Sequence, residues 1–388
     1  MNILKSFSKR HNDIGPASSI QQNELVYDQV DKGLNPIILS YGEAPFEVDA
    51  IDFSNIDHAR GSHYSQGIGI KEFREEIAGY LKKFHNVDCN SEKNVLVSAG
   101  SKIISFYCAQ LFLNKGDVML LHEPSWVSYQ EHASFSQADV EFIPYDQDIG
   151  EARKYFEKNP RIRIIVLNNP NNPRGYIYSE SQLRKLAKDC MECNVILIVD
   201  ESYSDFCGEK GFFSAGCLVN EFNNVVSMNS ISKNFGLSGW RLGYAIASEE
   251  IINGLNKFNQ HLMTCAPTVL QLALVEKGLI NLRYELDPFL ADLNKKREKV
   301  ASLLTKHGFD FLSGSATFYF FIDVGKFNVN TKDFVIKLLK NRHVSIIPGG
   351  AYGASTQGFL RLSFGVESLE RIEAGLKILK EELENERS

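Results

Sequence analysis

The sequence predicts an α/β protein, with a large domain built on a mostly parallel sheet flanked by helices and a smaller α+β domain after it. Two observations carry this expectation. Through the middle of the chain, short apolar runs rich in β-branched residues alternate with longer stretches of helical periodicity, as in a parallel sheet whose strands are covered on both faces. After about Asp287-Pro288 the strict alternation stops. The chain of 388 residues leaves room for a sizeable core, and 44% hydrophobic with 23% charged residues is ordinary for a soluble globular protein.

Residues 1–43 read as an N-terminal arm joining the small domain, with one helix from Ile20 to Lys32 ahead of Gly33. Residues 44–287 form the large domain, with strands expected at Val95–Gly100, Val118–Pro124, Arg163–Pro170, Val195–Ser202, Val225–Ser232 and Gly243–Ala247. Each run ends in polar or glycine residues, and in open α/β sheets ligands sit beyond the carboxyl ends of the strands. Residues 288–388 form the small domain: a helical stretch through Lys299, a strand Ala316–Val324, a helix near Asp333–Asn341, strand-like Val344–Gly350 and Phe359–Gly365, and a closing helix. In that last helix Leu369, Ile372, Leu376 and Leu379 recur at three- and four-residue spacing and form a buried face.

The net charge of -6 gives no footprint for nucleic acid or an anionic membrane. No apolar run approaches the ~20 residues of a membrane helix, and the basic start MNILKSFSKRH has no apolar stretch behind it. With seven cysteines scattered without framework spacing, the expectation is a cytoplasmic protein. Cys190 and Cys193 form a Cys-x-x-Cys with no second pair at zinc spacing, so they read as structural thiols and no metal is expected.

The most informative stretch is SISKNFGLSGWRLGY, Ser230 to Tyr244, which sets Lys233 and Arg241 eight residues apart in a Gly/Ser-rich loop. An amine can form a Schiff base with a carbonyl cofactor while hydroxyls and a guanidinium hold an anionic group beside it; otherwise Lys233 is a solvated loop lysine. Asp200 and Tyr203 end an apolar strand, where a carboxylate is costly unless paired with a cation, either internal or from a ligand. Another strand ends in NNPNNPRG, Asn168 to Gly175, a rigid turn. VLVSAGSK leads through Gly100, Ser101 and Lys102 into a helix, a place for helix capping or for an anion. Trp126 follows a strand end, Tyr64 lies in the Gly-rich HYSQGIG, and Arg361 sits between leucines in FLRLSFG, where it needs a carboxylate partner from the protein or from a ligand.

Taken in order, these segments resemble the fold-type I pyridoxal-phosphate enzymes, class I/II aminotransferases in particular, across nearly the whole chain. The resemblance implies a seven-stranded sheet in the large domain and pyridoxal 5'-phosphate as cofactor. Lys233 is then the covalent carrier and proton shuttle, Asp200 the partner of the pyridine nitrogen, and Tyr203 and Asn172 the donors to the ring's phenolic oxygen. Gly100, Ser101, Lys102, Ser230 and Arg241 hold the phosphate, with Ser232 a further hydroxyl, and Trp126 covers the ring face. Arg361, with Gly42 and Asn172, binds the substrate α-carboxylate. Tyr64 reaches a neighbouring subunit's phosphate, which implies a homodimer with shared active sites. Arg174 stands where the family usually has Thr. The implied reaction moves an amino group between an amino acid and a 2-oxo acid. A lyase or eliminase, a cyclising synthase or an O2-using oxidase on the same fold is the alternative, and a non-catalytic effector-binding module is a remote one, opposed by Lys233 and by the absence of a helix-turn-helix extension. Neither an acidic nor an aromatic substrate preference follows from the residues.

Overall fold

The computed structural model describes residues 11, 14–15, 18–44, 46, 48, 51–208 and 211–387; the basic stretch 1–10 lies outside them. The described chain enters through the helix Ser18–Asp31 and a two-residue strand, β1 (Ile37–Ile38). Seven strands then build one sheet: β2 (Val95–Ser98), β3 (Val118–His122), β4 (Asp139–Ile143), β5 (Ile162–Asn168), β6 (Ile196–Asp200), β7 (Val225–Ser230) and β8 (Gly243–Ala247). Their spatial order is β2-β8-β7-β6-β5-β3-β4, and neighbours pair in parallel except β8, which runs antiparallel to both β2 and β7.

Alternation along the strands explains why both faces are covered. In β5, Ile164 and Val166 join the core beneath the helices Ser101–Phe112, Ser128–Phe135 and Glu249–Leu262, while Ile165 and Leu167 point into the larger core on the opposite face. All four are at most 1% exposed. Each such side chain contributes about 1.5–3 kcal/mol by its removal from water. The strand β4, DVEFI, was not expected from the sequence. It is the sheet edge, only Ile143 is fully buried, and its acidic residues mask the apolar signal.

The remaining strands are β9 (Asp310–Phe311), β10 (Tyr319–Asp323), β11 (Val344–Ser345), β12 (Ile347–Pro348) and β13 (Phe359–Ser363). Four of them form an antiparallel sheet in the order β12-β13-β10-β9, while β11 pairs in parallel with β1 and so ties the N-terminal segment to this part of the chain. All the expected strands but Gly243–Ala247 are shorter than the sequence suggested, and two of them differ most. Val344–Gly350 is divided between two partners, with Pro348, which lacks an N–H, on an edge strand. Ala316–Phe318 forms a turn, with Thr317 at φ 65°, before β10 begins at Tyr319. Asp287-Pro288 lies inside the helix Leu279–Lys306, which runs on through it. Ile372, Leu376 and Leu379 of the closing helix are fully buried, joined by Leu383. Among the described residues no helix is long and apolar enough to cross a membrane. All seven cysteines are free, and burial pushes the Cys190 thiol up.

Candidate active site

Parallel strands bring their carboxyl ends to one edge of the sheet, and the register sets which side chains meet there. Asn168 lies opposite Asp200 across β5 and β6, and Asp200 lies opposite Met228, two residues before Ser230. Loops from this edge, the Ser101–Phe112 helix N-terminus, the segment after β1 and strands β10 and β13 enclose a cavity of about 600 Å3. Gly42, Ser101, Lys102, Trp126, Asn172, Asp200, Tyr203, Ser230, Lys233, Arg241 and Arg361 all line it, as does Ser232. Of the residues singled out from the sequence, Gly100 lies just behind the wall and Tyr64 lies outside, 84% exposed. A second cleft of about 780 Å3 is lined by Tyr176, Tyr178, Phe212, Phe213 and Phe311, with Glu180 its one charged group among the described residues.

Lys233 projects from the short helix Ile231–Asn234, whose N-cap, Ser230, accepts from the Ser232 N–H. The lysine Nζ donates to the Gly42 carbonyl at 2.6 Å. Burial pushes its pKa down to about 8; Glu43 works against this, while Arg361, Arg241 and Lys102 add to it. A neutral amine, the nucleophilic form, is therefore reachable near physiological pH.

Asp200 is 7% exposed and has no cation partner among the described residues. It accepts from Tyr129 Oη and Ser202 Oγ, both at 2.6 Å, and from the Ser202 N–H at 3.0 Å. Burial raises its pKa, and the three donors oppose the rise. A positive group delivered by a ligand would complete this site, which is what a protonated ring nitrogen supplies.

Around the helix N-terminus, Arg241 donates from Nη1 to Ser238 O at 2.9 Å and to Ser232 Oγ at 3.3 Å. Gly100 has φ 91°, and a Cβ there would lie 2.6 Å from Arg241 Nη2. The turn was expected to cap the helix or to take an anion; the glycine's missing side chain makes the space in which the guanidinium lies. Lys102 Nζ stands 5.1 Å from the Trp126 ring centre. Ser101, Ser230 and Ser232 add hydroxyls, giving an anion cradle of the kind a phosphate needs.

Arg361 is 3% exposed on β13. Its Nη2 donates to Ser40 O at 2.5 Å and its Nη1 to Asn172 Oδ1 at 3.5 Å, its Nε has no partner, and no carboxylate pairs with it among the described residues. Burying an unpaired guanidinium is unfavourable, so the site is complementary to a carboxylate from outside the chain. A Cβ on Gly42 would lie 3.3 Å from Tyr319 Oη, a tight contact, and at the ordinary van der Waals distance of 3.9 Å from both Arg361 Nη atoms, so the glycine leaves this subsite slightly more room.

Further polar side chains of the site were missed, Asn23, Glu43 and Ser238 of the lining among them. Tyr129, Ser202 and Tyr319 hold Asp200 or Tyr203, and Tyr203 Oη lies 3.4 Å from Asn172 Nδ2 and 3.0 Å from Tyr319 Oη. Ser202 lies between Asp200 and Tyr203 in the sequence and could have been read as a cap of Asp200. Nothing local marks Tyr129 or Tyr319.

A buried amine of lowered pKa, an anion cradle and a spare buried arginine in one cavity define an enzyme that handles a carbonyl compound bearing anionic groups. The model of the family "Aminotransferase class I and II" matches residues 39–378. The chain is 30% identical, over 98% of its length and 100% of the other's, to a probable aspartate/prephenate aminotransferase of Aquifex aeolicus. It is 28% identical, over 82% and 85%, to an aromatic-amino-acid aminotransferase of Thermococcus litoralis. Among solved structures, the aromatic aminotransferase of Pyrococcus horikoshii superposes with a TM-score of 0.83 at 25% identity, covering 93% of this chain and 99% of that one. The aspartate aminotransferase of Thermus thermophilus with maleate shares the fold, with a TM-score of 0.86 at 24% identity over 97% and 99%. This chain belongs to the class I and II aminotransferases. It is a pyridoxal-phosphate-dependent enzyme that moves an amino group between an amino acid and a 2-oxo acid.

Proposed function

We propose that the cavity of about 600 Å3 is the site of this transfer, with Lys233 as the residue that carries the cofactor and moves the proton. The observation that supports it best is the charge pattern: Lys102, Lys233, Arg241 and Arg361 face Asp200 and Glu43, and neither Asp200 nor the four cations have an ion-pair partner within the described residues. Such a cavity accommodates a phosphate dianion, a ring cation and a carboxylate together.

Arg241, Ser101, Ser230, Lys102 and the turn at Gly100 would hold the phosphate, Asp200 the ring nitrogen, Trp126 the ring face, and Tyr203 with Asn172 the ring oxygen. When bound, the cofactor supplies an electron sink for the pair left on the substrate Cα. Asp200, held by Tyr129 and Ser202, keeps a positive charge at the ring nitrogen. Arg361, with Gly42 beside it, grips the substrate carboxylate and so turns the Cα–H bond toward Lys233. Lys233, freed when the substrate amine takes its place on the cofactor and neutral in appreciable fraction because its pKa lies near 8, would take the proton from Cα and give it to the cofactor carbon that had held the lysine, so that the amino group leaves the substrate.

Aspartate is the first amino donor to test and an aromatic amino acid the second, following the names of the relatives. We read the protein as a cytoplasmic homodimer in which exposed Tyr64 reaches the partner's phosphate site. Its division is an N-terminal arm of residues 1–43, a large domain of 44–287 and a small domain of 288–388. Lys233→Ala tests the assignment: amino transfer and the near-visible absorbance of the loaded enzyme should vanish while far-UV circular dichroism is unchanged. Persistent transfer would overturn it.

A further inference from the structure

Tyr319 touches both ends of the cavity. It is 0% exposed, its hydroxyl lies 3.0 Å from Tyr203 Oη, and its ring lies under the Arg361 guanidinium with 4.6 Å between ring centre and Cζ. Counting hydrogens fixes the direction of the phenol pair. By distance alone either phenol can donate, and both line the cavity; once the role given above commits the single Tyr203 hydrogen to the cofactor's ring oxygen, the bond between the two phenols must come from Tyr319. Tyr319 therefore donates. Tyr203 Oη then accepts from Tyr319 and, at 3.4 Å, from Asn172 Nδ2, and its own hydrogen is left to point into the cavity.

The placement is rigid. Buried Arg297 donates to the carbonyls of Gly314 at 2.8 Å, Thr317 at 3.2 Å and Tyr319 at 2.9 Å, pinning the turn that delivers the phenol. The charged groups facing the phenol pair are Arg361 from β13, Asp200 from the end of β6 and Glu43 from the segment after β1, with Lys233 from the turn after β7 lining the same cavity. Burial raises the Tyr319 pKa and keeps the phenol protonated, able to donate, while Arg361 over the ring works against that rise.

We propose that Tyr319 is a positioning residue joining the two subsites: its hydroxyl aims the Tyr203 hydrogen at the cofactor's ring oxygen, and its ring is the floor on which Arg361 is oriented toward a carboxylate. This rests on the roles given above to Tyr203 and Arg361. Two variants separate the two halves. In Tyr319→Phe the floor remains and the donor is gone. The pH midpoint of the loaded enzyme's near-visible band should rise by about 0.5 to 1 unit, because Tyr203 loses the bond that aims and strengthens its own donation to the charged oxygen. The Kd for maleate or 3-phenylpropanoate, taken by calorimetry with whichever binds wild type more tightly, should stay within about twofold. In Tyr319→Leu both are gone, and that Kd should also weaken about 2- to 10-fold. An unchanged midpoint in the Phe variant, or an unchanged Kd in the Leu variant, overturns the proposal; if the Leu variant does not fold, the Phe variant decides alone. A wild-type enzyme with no pH-dependent band or no carboxylate binding would instead sink the site assignment itself.

Discussion

Replacing Arg361 by Leu should separate activity from stability. The guanidinium is 3% exposed, holds Ser40 O and Asn172 Oδ1, leaves Nε free and has no carboxylate partner among the described residues. A substrate carboxylate can take two charge-assisted bonds from it, each about 1.5–3 kcal/mol. Their loss removes about 3–6 kcal/mol of transition-state binding, or about 10^2- to 10^4-fold in kcat/KM. Stability should move differently. The substitution removes an unpaired buried charge at the expense of two bonds to neutral oxygens, so Tm should hold within a few degrees or rise. The assay follows single half-reactions with an amino acid and with the amine that lacks only its carboxylate. The account predicts that kcat/KM falls for the first, changes little for the second, and that the ratio between them collapses. Equal losses for both compounds, or a steep fall in Tm, would mean that Arg361 braces the fold and does not bind substrate.

The reaction of the apo-protein with pyridoxal phosphate should increase with pH through a midpoint of about 8, set by Lys233, and Glu43→Gln should lower that midpoint, because Glu43 now raises it. The same residue gives a stability test. Its folded pKa is below the unfolded one, so the unfolded state binds the extra proton between about 8 and 10.5; the burial cost is full below this window and gone above it. Lys233→Met should therefore raise the apo-protein Tm at pH 7 and leave it unchanged near pH 11. Gly100→Ala forces a side chain into a φ of 91° and against Arg241 Nη2 at 2.6 Å, adding about 1–3 kcal/mol of strain. Calorimetry should then show weaker binding of pyridoxal phosphate, by about tenfold or more, and little change for pyridoxal, which has no phosphate. Tyr129→Phe removes a 2.6 Å donor to Asp200, so kcat should fall about tenfold or more at saturating substrate, with far-UV circular dichroism retained.

Much of the site was legible because its residues terminate strands. A polar residue after an apolar β run has one place to go in a parallel sheet, and Asn172, Asp200, Ser230 and Lys233 converge for that reason alone. Arg361 was legible through its cost: a guanidinium between leucines needs a partner, and the protein provides no carboxylate for it among the described residues. Tyr129 and Tyr319 were invisible because their importance comes from contacts 71 and 116 residues away in sequence, with no local pattern to mark them. Strand β4 was hidden by its exposed, acidic edge position, and the division of Val344–Gly350 between two sheets depends on partners 307 and 14 residues distant, those of Val344 and Ile347. At Gly100 the space left by the missing Cβ is used by Arg241, a neighbour 141 residues away that no local pattern marks.

The central claim is that one lysine amine, lowered to a pKa of about 8 in this cavity, carries the cofactor. Borohydride reduction of the loaded enzyme, followed by proteolysis and peptide mass mapping, tests it most directly. The account predicts a single stoichiometric adduct on Lys233. An adduct on Lys102, which lines the same cavity, or no adduct in a protein that still transfers amino groups, would contradict it.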